Sequence, residues 1–276
     1  MLYLERRPVG VLAPLVEMLW LAQDPIAPLA GGTPHRQRVL PNGRIQLILN
    51  LAGDHLTEVC EGGGLAHTRR QAPALVTGLQ TRFHTIATED LADLAGVVLR
   101  PGGFWPIFGA DADEFSDCES SLEAWLGREA EELRERLRET AAVESRFAIL
   151  EGWLVDRVMR GQRERCTVTD FALAELRAGE PVREIARRSG WSERTVSERF
   201  RRQVGVTPKI FDRIARFQRV VQRLHRADSR VEWVQLALEC GFYDQAHFSH
   251  EFRAFSGISA TEYATSERRW SNHLKI

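Results

Sequence analysis

The sequence predicts an α+β chain of two domains. A β-rich N-terminal domain ends in a pair of helices, and an all-α C-terminal domain holds two helix-turn-helix units joined by a long helix. Three observations carry this expectation. The apolar period changes from two to about 3.6 residues near Ser120. A pattern in the last third of the chain occurs twice. The 276 residues, with a formal net charge of -1, divide into an acidic first part and a basic second part.

RIQLILNL (Arg44 to Leu51) follows the turn-forming PNG and sets Ile45, Leu47, Leu49 and Leu51 on one face, as a half-buried strand requires. ALVTGL, FHTIA and AGVVLRPGG add short strand-like runs punctuated by glycine or proline. Such strands close naturally into a small antiparallel sandwich or barrel. EGGGL (Glu61 to Leu65) lacks the Lys-Ser/Thr pair of a phosphate loop and reads as a mobile hairpin tip. Leu122, Trp125, Leu126, Leu133 and Leu137 then form one helical stripe, and Phe147, Leu150, Leu154 and Val158 a second. Two antiparallel helices would bury these stripes on each other, on the sheet, or on a second subunit. MRGQRERC (Met159 to Cys166) interrupts the pattern, with Gly161 as the break. The expected division is 1–160, a linker at 161–166, and 167–276.

Residues 1–165 hold 18 Lys+Arg against 24 Asp+Glu, and residues 166–276 hold 19 against 14. Within 177–226 there are 14 basic residues, 13 of them arginine, against 5 acidic ones. The cluster fits a polyanionic partner, although a solvated helix face with local ion pairs gives the same count. Cys60, Cys118, Cys166 and Cys240 lie far apart with no C-x-x-C pair, which argues against a disulfide framework or a cysteine-rich zinc site and fits a reducing cytosol. The opening MLYLERRPVG is charged and no run of about eighteen apolar residues occurs, so neither export nor a membrane span is signalled.

The repeat defines the C-terminal units. Ile185-Ala186-x-x-x-Gly190-Trp191 recurs as Leu236-Ala237-x-x-x-Gly241-Phe242, after which Phe200, Gly205, Val206 and Phe211 match Phe252, Gly257, Ile258 and Tyr263 with one residue inserted. VREIARRSG is a short amphipathic helix whose Gly190 suits a left-handed C-terminal turn. Ser192 then caps a second helix that buries Val196 and Phe200. Helix, glycine turn, helix is a helix-turn-helix. Opposite Val196 and Phe200, at about 100° per residue, lie Arg194, Glu198, Arg201 and Arg202, with Ser197 at the edge. Opposite Phe248 and Phe252 in the second unit lie His250 and Arg253, flanked by Gln245 and Ser249. Such side chains bond base edges or phosphates. His247 falls on another side and reads as a packing residue between helices; with His250 it repeats no metal-ligand spacing. Thr207-Pro208 opens a helix of some eighteen residues, roughly 27 Å, to about His225. Its Arg219 is a candidate phosphate contact, and its length suits two reading helices about 34 Å apart on one face of a duplex.

These residues resemble the AraC/XylS family of bacterial transcription regulators over about Thr167 to Tyr263. The likeness lies in the IAxxxGW and LAxxxGF cores, the long connecting helix, DQAHFSHEF, and the closing Gly257 to Tyr263. His250 stands where the family usually has arginine or lysine, Tyr243 at the capping position where serine is common, and Ala260 where proline is usual. The resemblance implies binding of double-stranded promoter DNA in the cytoplasm, with activation or repression through contact with RNA polymerase. It also implies an N-terminal domain, often a cupin-like β-barrel with an adjoining helix pair, that binds a small effector or mediates dimerisation. LPNGRIQLILNL, VVLRPGGFWPIFG and LEGWLVDRV are similar to a less characterised group of such regulators. No H-x-H cupin pattern accompanies them, so no metal or other cofactor is expected.

An enzyme is not expected, because G-x-S-x-G, H-E-x-x-H and Walker motifs are missing and His35, His55, His67 and His84 are scattered. Cys60 or Cys118 as a nucleophile stays open against an inert buried thiol. The second class is a DNA-repair or alkyl-transfer fusion that uses the same DNA-binding module, and the third is a nucleoid or interaction protein. The phenylalanines and Trp105 of the β domain motivate an apolar or aromatic ligand there.

Overall fold

The computed structural model describes residues 2–23, 36–62, 65–87, 92–226, 231–266 and 271–275, with backbone only for 60–62 and 65–66. In chain order the strands are β1 (Leu2–Arg6), β2 (Val16–Gln23), β3 (Arg36–Val39), β4 (Gln46–Asn50), β5 (Leu56–Gly62), β6 (Leu65–Gln71), β7 (Ala74–Thr77), β8 (His84–Ala87), β9 (Asp93–Leu99), β10 (Glu119–Ser121) and β11 (His273–Lys275). Among the described residues they form two sheets, ordered β1-β2-β9-β4-β7-β10 and β11-β3-β8-β5-β6. Among the described residues every ladder is antiparallel.

Register sorts the first sheet into two faces. Leu47 pairs with both Val76 and Val97, and with Leu49 and Leu19 these side chains enter the main core under the helices. Their neighbours Ile48, Leu75, Trp20 and Val98 point the other way, toward Leu56 of the second sheet. The Arg44 to Leu51 strand therefore forms as its alternation predicts. So does the hairpin around EGGGL, where Gly62 pairs with Leu65; its tip lies outside the described residues.

Helices α1 (Phe104–Phe108), α2 (Leu122–Leu126), α3 (Arg128–Glu139) and α4 (Val143–Gly161) cover the main face. One expectation is corrected here. The first apolar stripe is not one helix but two, broken at Gly127 between α2 and α3. The second helix ends at Gly161, where the sequence marks a break, and Gln162 follows it with φ 46°. Three phenylalanines of this region, Phe104, Phe108 and Phe115, pack around Trp125. Phe104 lies 5.0 Å from Phe108 and 5.5 Å from Trp125, and Phe115 lies 5.0 Å from Trp125, all ring to ring.

Seven further helices follow: α5 (Thr167–Arg177), α6 (Val182–Ser189), α7 (Glu193–Val204), α8 (Pro208–Arg226), α9 (Trp233–Glu239), α10 (Gln245–Ser256) and α11 (Ala260–Thr265). The C-terminal region is not wholly helical, since β11 returns to the N-terminal sheet and pairs Leu274 with Arg38. Asn272 anchors it: its carbonyl accepts from Leu40 N at 2.8 Å and its side chain from Gln218 Nε2 of α8 at 2.8 Å. One apolar core thus runs from Leu47 to Phe252 and Leu274. Among the described residues no helix is long and apolar enough to cross a membrane.

Candidate nucleic-acid interface

Unit one is α6, a turn, and α7. Ile185 and Ala186 are buried, Gly190 takes φ 73° at the end of α6, and Ser192 caps α7 by accepting from Thr195 N at 3.1 Å. Val196 and Phe200 are fully buried, and Phe200 meets Phe211 of α8 edge-on at 5.5 Å. Unit two repeats this with Leu236, Ala237, Phe248 and Phe252 inside. Its cap corrects the sequence expectation: Asp244, not Tyr243, accepts from His247 N at 2.7 Å. Counting from Gly241 pointed to Tyr243, but the extra residue of the repeat sits inside this turn. It leaves Tyr243 86% exposed at the start of the unit's second helix, α10.

The exposed faces follow from these cores. On α7, Arg194, Glu198, Arg201 and Arg202 are exposed and Ser197 is half-buried; on α10, Gln245, Ser249, His250 and Arg253 are exposed; Arg219 is exposed on α8. Arg194 Nε donates to Glu198 Oε1 at 2.9 Å, and that carboxylate holds the guanidinium pKa above its ordinary value. Arg201 Nη1 lies 3.1 Å from Asp113 Oδ2, and Arg202 Nε donates to Asp111 Oδ2 at 2.7 Å. Both aspartates belong to the N-terminal region, at the 3₁₀ turn Ala112–Phe115. Ser249 Oγ is turned back onto its own helix, donating to Gln245 O at 2.8 Å. Among the described residues Arg219 and Arg253 have no ion-pair partner within 4.0 Å.

His247 packs as expected, edge-on to Phe242 at 5.6 Å, with Nδ1 accepting from Tyr243 N at 3.4 Å. Among the described residues no group of three or more His, Cys, Asp or Glu is placed to hold a metal; His35 and the side chain of Cys60 lie outside them. The spacer α8 has 19 residues, about 28 Å of helix. Thr207 caps it, its Oγ1 accepting from Ile210 N at 3.4 Å. Three of its arginines are used internally, Arg213 on Glu251, Arg216 on Asp212 and Arg223 on Glu239. Ser259 and Glu262 form a capping box at α11, so Ala260 starts that helix without the family's proline.

Sequence reasoning missed Asp111, Asp113 and Glu251. No local pattern marks them, because their partners are 91, 88 and 38 residues away.

Residues 185–266 match a helix-turn-helix domain, and residues 4–121 match a domain of unknown function, DUF6597. No curated protein matches the chain. Among solved structures, an AraC-type DNA-binding-domain-containing transcriptional regulator from Chromobacterium violaceum is 26% identical, covering 34% of this chain and 87% of its own, with a TM-score of 0.31. ToxT from Vibrio cholerae is 12% identical, covering 84% of this chain and 96% of its own, with a TM-score of 0.43. An unsaturated fatty acid bound ToxT is 10% identical, covering 84% and 90%, with a TM-score of 0.42. The helix-turn-helix match and the tandem geometry agree: residues 185–266 are a helix-turn-helix domain, of the AraC type that the repeat resembles.

Proposed function

We propose that the chain is a sequence-specific transcriptional regulator, acting in the cytoplasm without a catalytic step, whose α7 and α10 read successive major-groove segments of promoter DNA. The observation that supports this best is the doubled unit: two capped helices with matching buried pairs, joined by one stiff helix of about 28 Å. In this reading Arg194, Ser197, Glu198, Arg201 and Arg202 serve the first half-site, and Gln245, Ser249, His250 and Arg253 the second. Arginine suits guanine, glutamine suits adenine, and glutamate accepts from cytosine. Arg219 meets phosphate. Residues 1–160 form a sensing or dimerising domain, 161–166 a joint, and 167–276 the DNA-binding domain, which contacts RNA polymerase when bound.

A small effector would enter between the two sheets. Their facing surfaces carry polar groups: His84 Nε2 lies 3.7 Å from Glu119 Oε1, and Gln71 donates to Glu58 at 2.7 Å. Among the described residues Thr77 Oγ1 and His84 Nδ1 are buried there without a hydrogen-bond partner. A ligand with hydrogen-bonding groups fits this surface better than a purely apolar one.

Selection of bound sequences from randomised duplexes tests the reading. A motif of two halves about one helical turn apart is expected. Arg194→Ala should relax choice in one half and Gln245→Ala in the other, each by about 1–3 kcal/mol, while Arg219→Ala weakens all sites alike and lowers the salt slope by about one. Equal loss on selected and random DNA for Arg194→Ala would contradict its role.

A further inference from the structure

Two arginines of the first reading helix are already engaged within the chain. Arg202 Nε reaches Asp111 Oδ2 at 2.7 Å, Arg201 Nη1 reaches Asp113 Oδ2 at 3.1 Å, and Ser116 Oγ donates to the carbonyl of Gly205 at the end of α7. The fit is close: a Cβ on Gly205 would stand 3.1 Å from Ser116 Oγ and 3.4 Å from Ala112 O. The carboxylates are shielded, with Asp111 and Asp113 side chains 21% and 16% exposed, whereas the Arg202 and Arg201 side chains remain 58% and 53% exposed. Arg194 is occupied by Glu198 on the same helix. Hence Arg194, Arg201 and Arg202, the cationic candidates on α7, each pair with a carboxylate, while Arg253 of α10 has none within 4.0 Å among the described residues.

We infer that the acidic turn at Asp111 and Asp113 is an internal stand-in for DNA phosphate, occupying Arg201 and Arg202 until a duplex displaces it. The inference rests on the DNA-binding reading above. Carboxylate and phosphate compete for the same guanidinium hydrogens, and Arg202 meets its partner through the Nε edge that phosphate oxygens also use. The N-terminal region therefore lowers the affinity of the first unit for any duplex, without touching base recognition by the second.

The test uses the full chain and a labelled duplex of random sequence, about 30 base pairs long, titrated between about 50 and 200 mM KCl. Asp111→Asn with Asp113→Asn keeps the shape of the turn and removes its charge. The double variant should bind about tenfold tighter, the gain available from freeing two half-exposed pairs. Its plot of log affinity against log salt should steepen by about two, because two arginines now release counterions in full. In a chain that also carries Arg201→Gln and Arg202→Gln, the same two substitutions should change affinity less than about twofold. Each single asparagine variant should give a partial gain, which keeps the test open should the double variant fold poorly.

Unchanged or weaker binding of the asparagine variants overturns the inference, since the turn would then be neutral or would position α7 for DNA. A gain of equal size in the chain lacking Arg201 and Arg202 also overturns it, since the effect would be diffuse charge. If the wild type and all variants ignore duplex DNA at the lowest salt, the DNA-binding reading falls as well, a result unlike either of the others.

Discussion

Arg213 of α8 and Glu251 of α10 meet as two forks: Nε donates to Oε2 at 2.7 Å and Nη2 to Oε1 at 2.8 Å. The Glu251 side chain is 9% exposed and that of Arg213 is 35% exposed, with its guanidinium 5.3 Å from the Phe255 ring centre. The Arg213 hydrogen bonds hold the Glu251 carboxyl below the usual carboxylate range. This pair fixes how α10 is rolled on α8, and so which side chains of α10 face outward.

The two ends of the pair are unequal. Arg213→Ala strands a carboxylate in the interior and should cost about 3–5 kcal/mol, whereas Glu251→Ala leaves a guanidinium that water can reach and should cost about 1–3 kcal/mol. Urea unfolding of both variants measures the difference. Equal costs would mean that Glu251 is not held inside.

Leu274 ties the end of the chain to the N-terminal sheet. It is 2% exposed, and its ladder to Arg38 is backed by Asn272 on Leu40 and Gln218. Leu274→Ala should cost about 2–4 kcal/mol. Removing residues 272–276 should in addition strip amide-exchange protection from residues 36–39, the edge that β11 covers. Unaltered protection there would show that the strand does not stay docked in solution.

Gly190 and Gly257 share a φ of 73° and differ in surroundings. Around Gly190 there is open space, so Gly190→Ala should cost only the backbone strain, about 1 kcal/mol. At Gly257 a new Cβ would run into the ring of Phe83 and lie 3.1 Å from Arg38 Nη1, so alanine should cost about 2–3 kcal/mol. Denaturant midpoints of the two variants compare them directly. Similar losses would mean that the second unit does not rest on Phe83.

The contrast between these positions shows what the sequence could reveal. Val196 with Phe200, Phe248 with Phe252, the Ser192 cap and the strand through Leu47 were all legible, because their signals lie within one or two turns of the chain. The Gly127 break was not, since the stripe from Leu122 to Leu137 keeps its apolar spacing across it. β11 is too short for an alternation to register, and Asn272 meets Leu40 across most of the chain. At the candidate interface, solvent exposure of Arg194 and Gln245 followed from the helix wheel. The pairing of Arg201 and Arg202 did not, because helical geometry says which way a side chain points and not what stands opposite.

The space between the sheets sets a final expectation, about acid and base. His84 on β8 and His273 on β11 both pair with Val39, so they point to one face, and His84 meets Glu119 of the opposite sheet. Burial, then His273, lowers the His84 pKa to about 4; burial lowers His273 to about 4 as well. Burial, then Glu58, raises Glu119 to about 7, against an opposing pull from Arg69. A histidine kept neutral by folding supports stability above its ordinary value of 6.5 and loses that support as pH falls toward 4. The carboxyl works in the opposite sense: its contribution is complete below 4.5 and is lost as pH rises through about 7. Between pH 4.5 and 6.5 two histidines oppose one carboxyl, so stability should rise with pH by about 1.4 kcal/mol per unit at most. Glu119→Gln removes the opposing group and should roughly double that slope, while His84→Gln should leave the profile nearly flat. Thermal unfolding across this range separates the three proteins, and a wild-type slope retained in both variants would place these groups in water, away from the interior.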